Sequence, residues 1–173
     1  MIIKEERRNK MICFHDPDKE YGFLSNWYMS DFIEDGRLYT SMEQYLMYGK
    51  AVVFKDEEMQ RAILDTHDVA KIKQYGRQVK LYNETVWNGF RQLVLYRGLW
   101  LKFSQNEKLR QKLIDTGNDI LVECARTDKI FACGISMKDP MRFDMSKWSG
   151  KNLLGFALMD LREQFKKIVI SKL

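Results

Sequence analysis

The chain has 173 residues, 45% of them hydrophobic, and a formal net charge of +5, which favours anionic partners without singling out nucleic acid. This length and composition can bury one core, so a disordered protein is excluded and a single domain over residues 1–173 is expected. The charged stretch 1–8 and the shortness of every apolar run argue against a signal peptide and a membrane span, so we expect a cytoplasmic protein.

The first 40 residues predict strands rather than helices. Residues 11–14 have the composition of a short strand, and Glu34-Asp35-Gly36 is a turn signal between the apolar segments 31–33 and 37–39. A small antiparallel hairpin is therefore expected before the first helix.

From Ser41 onward the apolar residues recur with a helical period. The segment 84–103 has apolar side chains on nearly every face, so we expect it to be a central, buried helix, with Val86, Phe90, Leu93 and Trp100 along one of those faces. Helices are predicted over residues 41–54, 56–65, 68–74, 84–103, 106–115 and 151–167.

Two short apolar segments, 120–123 and 129–132, flank a polar turn and predict a second strand pair. Gly117, just before the first of them, is placed to end a helix in the left-handed conformation. The predicted fold class is mainly α with small β elements (α+β), a single compact helical domain with short antiparallel hairpins.

Three cysteines, Cys13, Cys124 and Cys133, match neither a disulfide framework nor a paired metal knuckle. With only His15 and His67 as further nitrogen ligands, a full ligand set is hard to assemble. We therefore expect reduced thiols and no metal.

The stretch from Tyr39 to Lys50 carries the strongest functional signal. Glu43 and Lys50 are almost two helical turns apart, so a helix here would place both on one face, with Tyr39 at the entrance of a site for an anionic, hydroxyl-rich ligand. The alternative is structural, because Thr40 followed by Glu43 also has the spacing of a capping box.

Several segments that occur in a fixed order resemble the NADAR family, whose best-known branch comprises the YbiA-type N-glycosidases. The resemblance covers roughly residues 20–165, and the ordered set is specific where each motif alone is weak. The segments are Phe23 to Asn26, Asp35-Gly36, Tyr39 to Tyr45, Gly76-Arg77, Lys102 to Asn106, Thr116-Gly117, Leu121 to Glu123, Asp128 ahead of Gly134, and Gly150 to Gly155.

The resemblance implies hydrolysis of a ribose C1′–N bond without cofactor. For the YbiA type the implied substrates are ribosylamino-pyrimidine intermediates of riboflavin biosynthesis that carry a 5′-phosphate, so the expected partner is a phosphorylated ribosyl small molecule. Other branches are linked to ADP-ribose, including its removal from guanine in DNA, so ADP-ribosylated nucleic acid is the alternative partner.

The resemblance also implies roles for particular residues. Glu43 would stabilise positive charge at C1′ and orient the water, Lys50 would bind phosphate or a ribose hydroxyl and keep Glu43 ionised, and Asp128 would share the acid–base work. Substrate contacts are implied for Asn26, Tyr45, Trp87, Gly134, Trp148 and Asn152. The segment 148–152 would line the pocket by close backbone approach and offer helix-start amides to a phosphate.

The chain also departs from the family pattern at presumed pocket walls. Val86 precedes Trp87 where an acidic residue is expected, Phe131 replaces a common tryptophan, and Ala125 replaces a serine. These changes affect the expected substrate and leave an ADP-ribosyl hydrolase as an alternative. Two further alternatives stay open, a catalytically silent module that binds ADP-ribose or NAD, and a nucleic-acid binder that uses a basic and aromatic surface at 75–82. Oligomeric state is not predicted.

Overall fold

The computed structural model describes residues 10–170, so the charged stretch 1–8 lies outside the described residues. Within this range the short strands form two separate two-stranded sheets. One sheet pairs β1 (Met11–Phe14) with β4 (Ile120–Glu123), and the other pairs β2 (Met29–Glu34) with β3 (Arg37–Ser41).

The β2–β3 hairpin is antiparallel, as the sequence predicts. Asp35 and Gly36 at its tip have φ angles of 49° and 75°, and two consecutive positive values are what a tight two-residue hairpin turn requires. The hairpin feeds directly into the first helix, since β3 ends at Ser41 and that helix begins at Met42.

The partner of strand 120–123 differs from the prediction. β4 pairs with β1 in parallel, from Met11 opposite Ile120 to Phe14 opposite Glu123, while residues 129–132 form no strand. The predicted pair is wrong because the carbonyls of 129–132 have other partners: those of Ile130 and Phe131 accept from the amides of Leu153 and Leu154, at 3.1 Å each. This segment therefore caps the last helix.

The helices follow the predicted order, and the mainly α prediction with small β elements is confirmed. Side chains of Ser41, Asp56, Asp68 and Asn83 each accept a hydrogen bond from a first-turn amide, which explains where four of the helices begin. The helices are α1 (Met42–Val53), α2 (Glu57–Leu64), α3 (Val69–Gln78), α4 (Glu84–Gln105), α5 (Glu107–Asp115) and α6 (Leu153–Ile170).

Helix α3 extends four residues beyond its predicted end at residue 74. Gly76 lies inside the helix rather than after it. Its missing side chain lets α3 pack close to α1, because a Cβ at this position would overlap the side chain of Met47. The longer helix places Lys73 and Arg77 one turn apart on the same face, where both reach the cavity described below.

Helix α4 is central but not buried on every side. Leu95, Leu99 and Phe103 are buried, whereas the stripe of Val86, Phe90, Leu93 and Trp100 is between 39% and 68% exposed. The prediction of an all-round buried helix is therefore wrong for that face. Apolar residues on the remaining faces pack against α1, α6 and β2.

The main core lies between α1, α4 and α6 and is extended by the hairpin aromatics Phe32 and Tyr39. Full burial of a large apolar side chain stabilises a fold by roughly 1.5–3 kcal/mol, so this cluster holds α1 firmly in place. A smaller cluster joins α1 to α2 and α3 through Ala51, Ile63 and Ile72. Helix α1 is thus fixed on two sides.

Over residues 10–170, no helix is long and apolar enough to cross a membrane. In the same range, no three His, Cys, Asp or Glu side chains are grouped so that they could hold a metal ion. Cys13, Cys124 and Cys133 are free thiols, the last two of them buried.

Candidate active site

A cavity of about 630 Å³ opens where β1 and β4 end and where α1 begins. This volume is within the usual range for small-molecule sites. Its lining includes four carboxyl side chains, those of Asp16, Glu43, Glu123 and Asp128, and the cationic side chains of Lys50, Lys73, Arg77 and Arg91.

Glu43 lies in the first turn of α1, and the structure assigns helix capping to its neighbours. The Ser41 hydroxyl accepts from the Gln44 amide at 3.2 Å, and the Gln44 side-chain oxygen accepts from the Thr40 amide at 2.8 Å. The alternative interpretation, a capping box of Thr40 and Glu43, is therefore wrong, and the Glu43 carboxyl is left to face the cavity.

The Glu43 carboxyl is held in a mixed electrostatic environment, with the residue only 5% exposed. Burial raises its pKa, while Lys73, a hydrogen bond from the Trp27 side chain, and Arg77 act in the opposite direction. Asp128 adds to the upward shift of the pKa. A buried carboxyl facing a ligand cavity and balanced by nearby cations has the character of a catalytic group.

Lys50 lines the cavity on the same face of α1, as predicted, but its main contacts are with α3 and Tyr82. Its Nζ donates to the Gly76 carbonyl at 2.7 Å and lies 4.0 Å from the centroid of the Tyr82 ring. Burial lowers the Lys50 pKa. Lys73 is the cation with the largest effect on the Glu43 pKa, so Lys73 rather than Lys50 is the main cation that favours the ionised Glu43 carboxyl.

Asp128 also lines the cavity, from the loop that follows β4. One of its carboxylate oxygens, Oδ1, accepts from the amides of Ile130 and Phe131, at 2.9 Å each. Asp128 thus shapes the loop that caps α6 and at the same time adds a carboxylate beside Glu43.

Asn26 is 4% exposed and connects the cavity to α1. Its backbone carbonyl accepts from the Glu43 amide at 2.8 Å, while its side-chain Oδ1 is buried with no hydrogen-bond partner among the described residues. The buried Lys102 holds the preceding loop by donating to the Phe23 carbonyl at 2.8 Å. A buried acceptor left without a partner is costly, which suits a group that meets a ligand donor.

Trp87 lines the cavity and is also a core residue, with only 3% of its surface exposed. It lies in the first turn of α4, and the Arg91 guanidinium is 5.9 Å from its ring centroid. Trp87 therefore packs in the core and borders the cavity at the same time.

Tyr45, predicted to contact substrate, does not reach the cavity. Its hydroxyl donates to the Glu34 carboxylate at 3.0 Å, and its ring packs edge-on against Tyr39 at 4.9 Å. It points into the hairpin because it is two residues from Glu43, which is about 200° around a helix. Tyr39, expected at the entrance of the site, is 1% exposed in the same aromatic cluster.

Gly134, Trp148 and Asn152 are also absent from the cavity lining. The Trp148 indole donates to the Arg142 carbonyl at 2.9 Å, and Gly134, with φ of 77°, packs against the Ser149–Gly150 backbone. Asn152 is fully buried, and its side chain bonds the backbone of β4 at Glu123 and Leu121, at 2.9 Å each. These residues join the start of α6 to β4.

The phosphate seat expected at 148–152 is therefore not present. The amides there are already hydrogen-bonded, since that of Gly150 donates to Cys133, that of Lys151 to Lys129, and that of Asn152 to Ala132, at 2.8–3.0 Å. Helix-start amides bind an anion only where they are free to donate.

Four further residues line the cavity without having been predicted as site residues from the sequence: Glu123, Lys73, Arg91 and Trp27. Glu123 is the last residue of β4, and ligands often bind at the carboxyl ends of parallel strands. That signal was hidden because 120–123 was paired with the wrong partner. Lys73 could have been found from its spacing to Arg77, had α3 been extended past Gly76.

The NADAR domain model matches residues 13–166 of this chain. N-glycosidase R617 of Acanthamoeba polyphaga mimivirus is 35% identical over 90% of this chain and 96% of its own length. N-glycosidase YbiA of Escherichia coli is 28% identical over 94% of this chain and 92% of its own length. A riboflavin biosynthesis protein of Vibrio vulnificus is 28% identical over 95% of this chain and 41% of its own length. The NMR structure of E. coli YbiA has a TM-score of 0.78 at 26% identity and covers 97% of this chain and 92% of that one.

Proposed function

This chain belongs to the NADAR family, and we propose that it is an N-glycosidase that hydrolyses the ribose C1′–N bond of phosphorylated ribosylamino-pyrimidine intermediates of riboflavin biosynthesis, releasing ribose 5-phosphate. The observation that carries the proposal is the buried Glu43 carboxyl, which faces a cavity that cations also line. Relatives named as N-glycosidases, which match over most of their length, support the reaction type.

The proposed chemistry is centred on Glu43. Breaking a ribosyl C1′–N bond builds positive charge on C1′ and the ring oxygen, and a nearby carboxylate stabilises that charge. The same group can orient the attacking water and accept its proton, which typically contributes ~10²–10⁴-fold. Burial raises the Glu43 pKa, and Lys73 and the Trp27 side chain act against this rise and so favour the ionised form that both tasks need.

The phosphate would be bound by cations farther along α1 and α3. Glu43 and Lys50 are about 10 Å apart along the α1 axis, enough to hold a ribose with its 5′-phosphate between them. Lys73 and Arg77 line the same space from α3. Charged donors bind phosphate with shorter and stronger hydrogen bonds than neutral ones.

The pyrimidine would be held by polar and aromatic side chains near Glu43. Trp27 and Trp87 line the cavity and offer flat faces for stacking, and Asn26 Oδ1 is a buried acceptor without a partner among the described residues. An amino group or ring N–H of the leaving base would donate a hydrogen bond to that acceptor.

The test is a mass-spectrometric assay of the purified protein with a phosphoribosylamino-pyrimidine and, separately, with DNA ADP-ribosylated on guanine. We expect ribose 5-phosphate from the first substrate, and a loss of ~10²–10⁴-fold in Glu43→Gln with binding preserved. Glu57→Gln, on the exposed surface of α2, is the matched control and should leave the rate unchanged. Release of ADP-ribose alone would reject the proposed substrate, and turnover on neither would reject the activity.

A further inference from the structure

Glu123 is a second buried carboxyl in the cavity, at the end of β4. The residue is 8% exposed, and its Oε2 is fully buried with no hydrogen-bond partner among the described residues. Its backbone is fixed on both sides, because its amide donates to Asn152 Oδ1 at 2.9 Å and its carbonyl accepts from the Cys133 amide at 2.8 Å. A rigidly held, unpartnered carboxyl oxygen in a ligand cavity calls for a partner on the ligand.

The surroundings of Glu123 favour its neutral, protonated form. Burial raises its pKa to about 8, and the nearby carboxyls of Asp128 and Glu43 act in the same direction, against a smaller opposite effect of Lys73. His15 and Asp16, after β1, are further titratable groups that line the same cavity.

The carboxyls of Glu43, Glu123 and Asp128 differ in what already holds them. Asp128 Oδ1 accepts two backbone amides, and Glu43 is balanced by Lys73, Trp27 and Arg77. Glu123 has no such support at Oε2. Burial raises the pKa of both Glu43 and Glu123, but the rise is opposed by Lys73, Trp27 and Arg77 at Glu43 and by Lys73 alone at Glu123, so Glu123 is the better placed of the two to keep a proton.

We propose that Glu123 is the general acid of the reaction and protonates the departing nitrogen. As the C1′–N bond breaks, its electron pair stays on nitrogen, which takes the proton of the Glu123 carboxyl. Water then forms the new C1′–O bond and gives its proton to the Glu43 carboxylate. The cycle closes when Glu43 returns one proton to solvent and Glu123 takes one up. This inference rests on the proposed N-glycosidase function and adds a second catalytic residue to it.

The test separates acid catalysis from folding and binding by changing the leaving group. Wild type, Glu123→Gln and the control Glu57→Gln are assayed on the phosphoribosylamino-pyrimidine and on 4-nitrophenyl ribofuranoside 5-phosphate, whose leaving group departs as a stable anion without a proton. We expect Glu123→Gln to lose ~10²–10⁴-fold in kcat/KM on the first substrate and less than about tenfold on the second. Equal losses on both would overturn the role as an acid.

The pH profile on the aminopyrimidine substrate gives an independent readout. Wild-type kcat/KM should fall as pH rises past about 8, where Glu123 loses its proton, and this alkaline limb should be missing in Glu123→Gln. If wild type does not accept the nitrophenyl glycoside, this profile decides, and an alkaline limb kept in the variant overturns the inference. If wild type is active and Glu123→Gln loses activity equally on both substrates, only the general-acid role is rejected. If wild type is inactive, the proposed function is rejected, and this inference with it.

Discussion

Replacing Glu123 by glutamine should change how the stability of the protein depends on pH. In the folded protein the pKa of Glu123 is raised from 4.5 to about 8, mainly by burial. Between these values the unfolded chain is ionised at this residue while the folded chain keeps the proton, so the folded state binds more protons and its stability falls as pH rises. Below pH 4.5 both states are protonated, and above about 8 both are ionised.

The size of the effect follows from the same two values. One pKa unit corresponds to about 1.4 kcal/mol, so the full difference is ~5 kcal/mol, of which ~4 kcal/mol develops between pH 5 and pH 9. Glutamine has nearly the shape of the protonated side chain and does not titrate. We therefore expect similar stabilities at pH 5, and a variant that is more stable than wild type by ~4 kcal/mol at pH 9.

The measurement is urea unfolding of both proteins at pH 5, 7 and 9, followed by circular dichroism. The difference between the two proteins reports Glu123 together with its coupling to Glu43 and Asp128, because the contributions of distant titrating groups are common to both and cancel. A constant difference across the three pH values would show that Glu123 is ionised in the folded protein, and would refute the reasoning from burial.

Three further changes test other parts of the structure. Lys73→Met should lower kcat/KM on a phosphorylated riboside and on its dephosphorylated form, because Lys73 favours the ionised Glu43 carboxylate. The loss should be about 10- to 100-fold larger on the phosphorylated form, with the exposed Lys71→Met as control, and equal losses would exclude a phosphate contact. Lys102 is fully buried, and its pKa is lowered from 10.5 to about 7. Between pH 7 and pH 9 the free energy of unfolding of wild type should therefore rise by ~2 kcal/mol relative to that of Lys102→Met, measured by urea unfolding, and parallel changes in the two proteins would contradict this. Ser41→Ala removes the acceptor of the Gln44 amide and should cost ~1 kcal/mol in thermal unfolding, and no loss would argue against the cap.

Local chemistry allowed much of the architecture to be predicted from the sequence. The Asp35-Gly36 pair specifies its turn because few other residues accept two positive φ angles, and capping side chains mark where four helices begin. The position of Glu43 at the start of α1 follows from the same local rules. Its role remains a proposal.

Other features depend on residues far apart in the chain. The side chain that caps α1 is Ser41, one position after the Thr40 that the sequence suggested. The lysine with the largest effect on the Glu43 pKa is Lys73 on α3 rather than Lys50 on the same helix as Glu43. The exposed stripe on α4 has the same apolar pattern as its buried faces, and periodicity alone does not say which face meets a neighbour.

The sequence by itself determined the elements of this protein, because turns, caps and helical periods are set by contacts within a few residues. Only the tertiary structure decided that β4 pairs with β1 and that the 129–132 carbonyls cap α6. These pairings join segments more than a hundred residues apart in the first case and about twenty in the second, and backbone hydrogen bonding of that kind leaves no periodic signal in either segment. Glu123 acquired its buried place in the cavity from this pairing, and so the second carboxyl of the site became visible only in the folded chain.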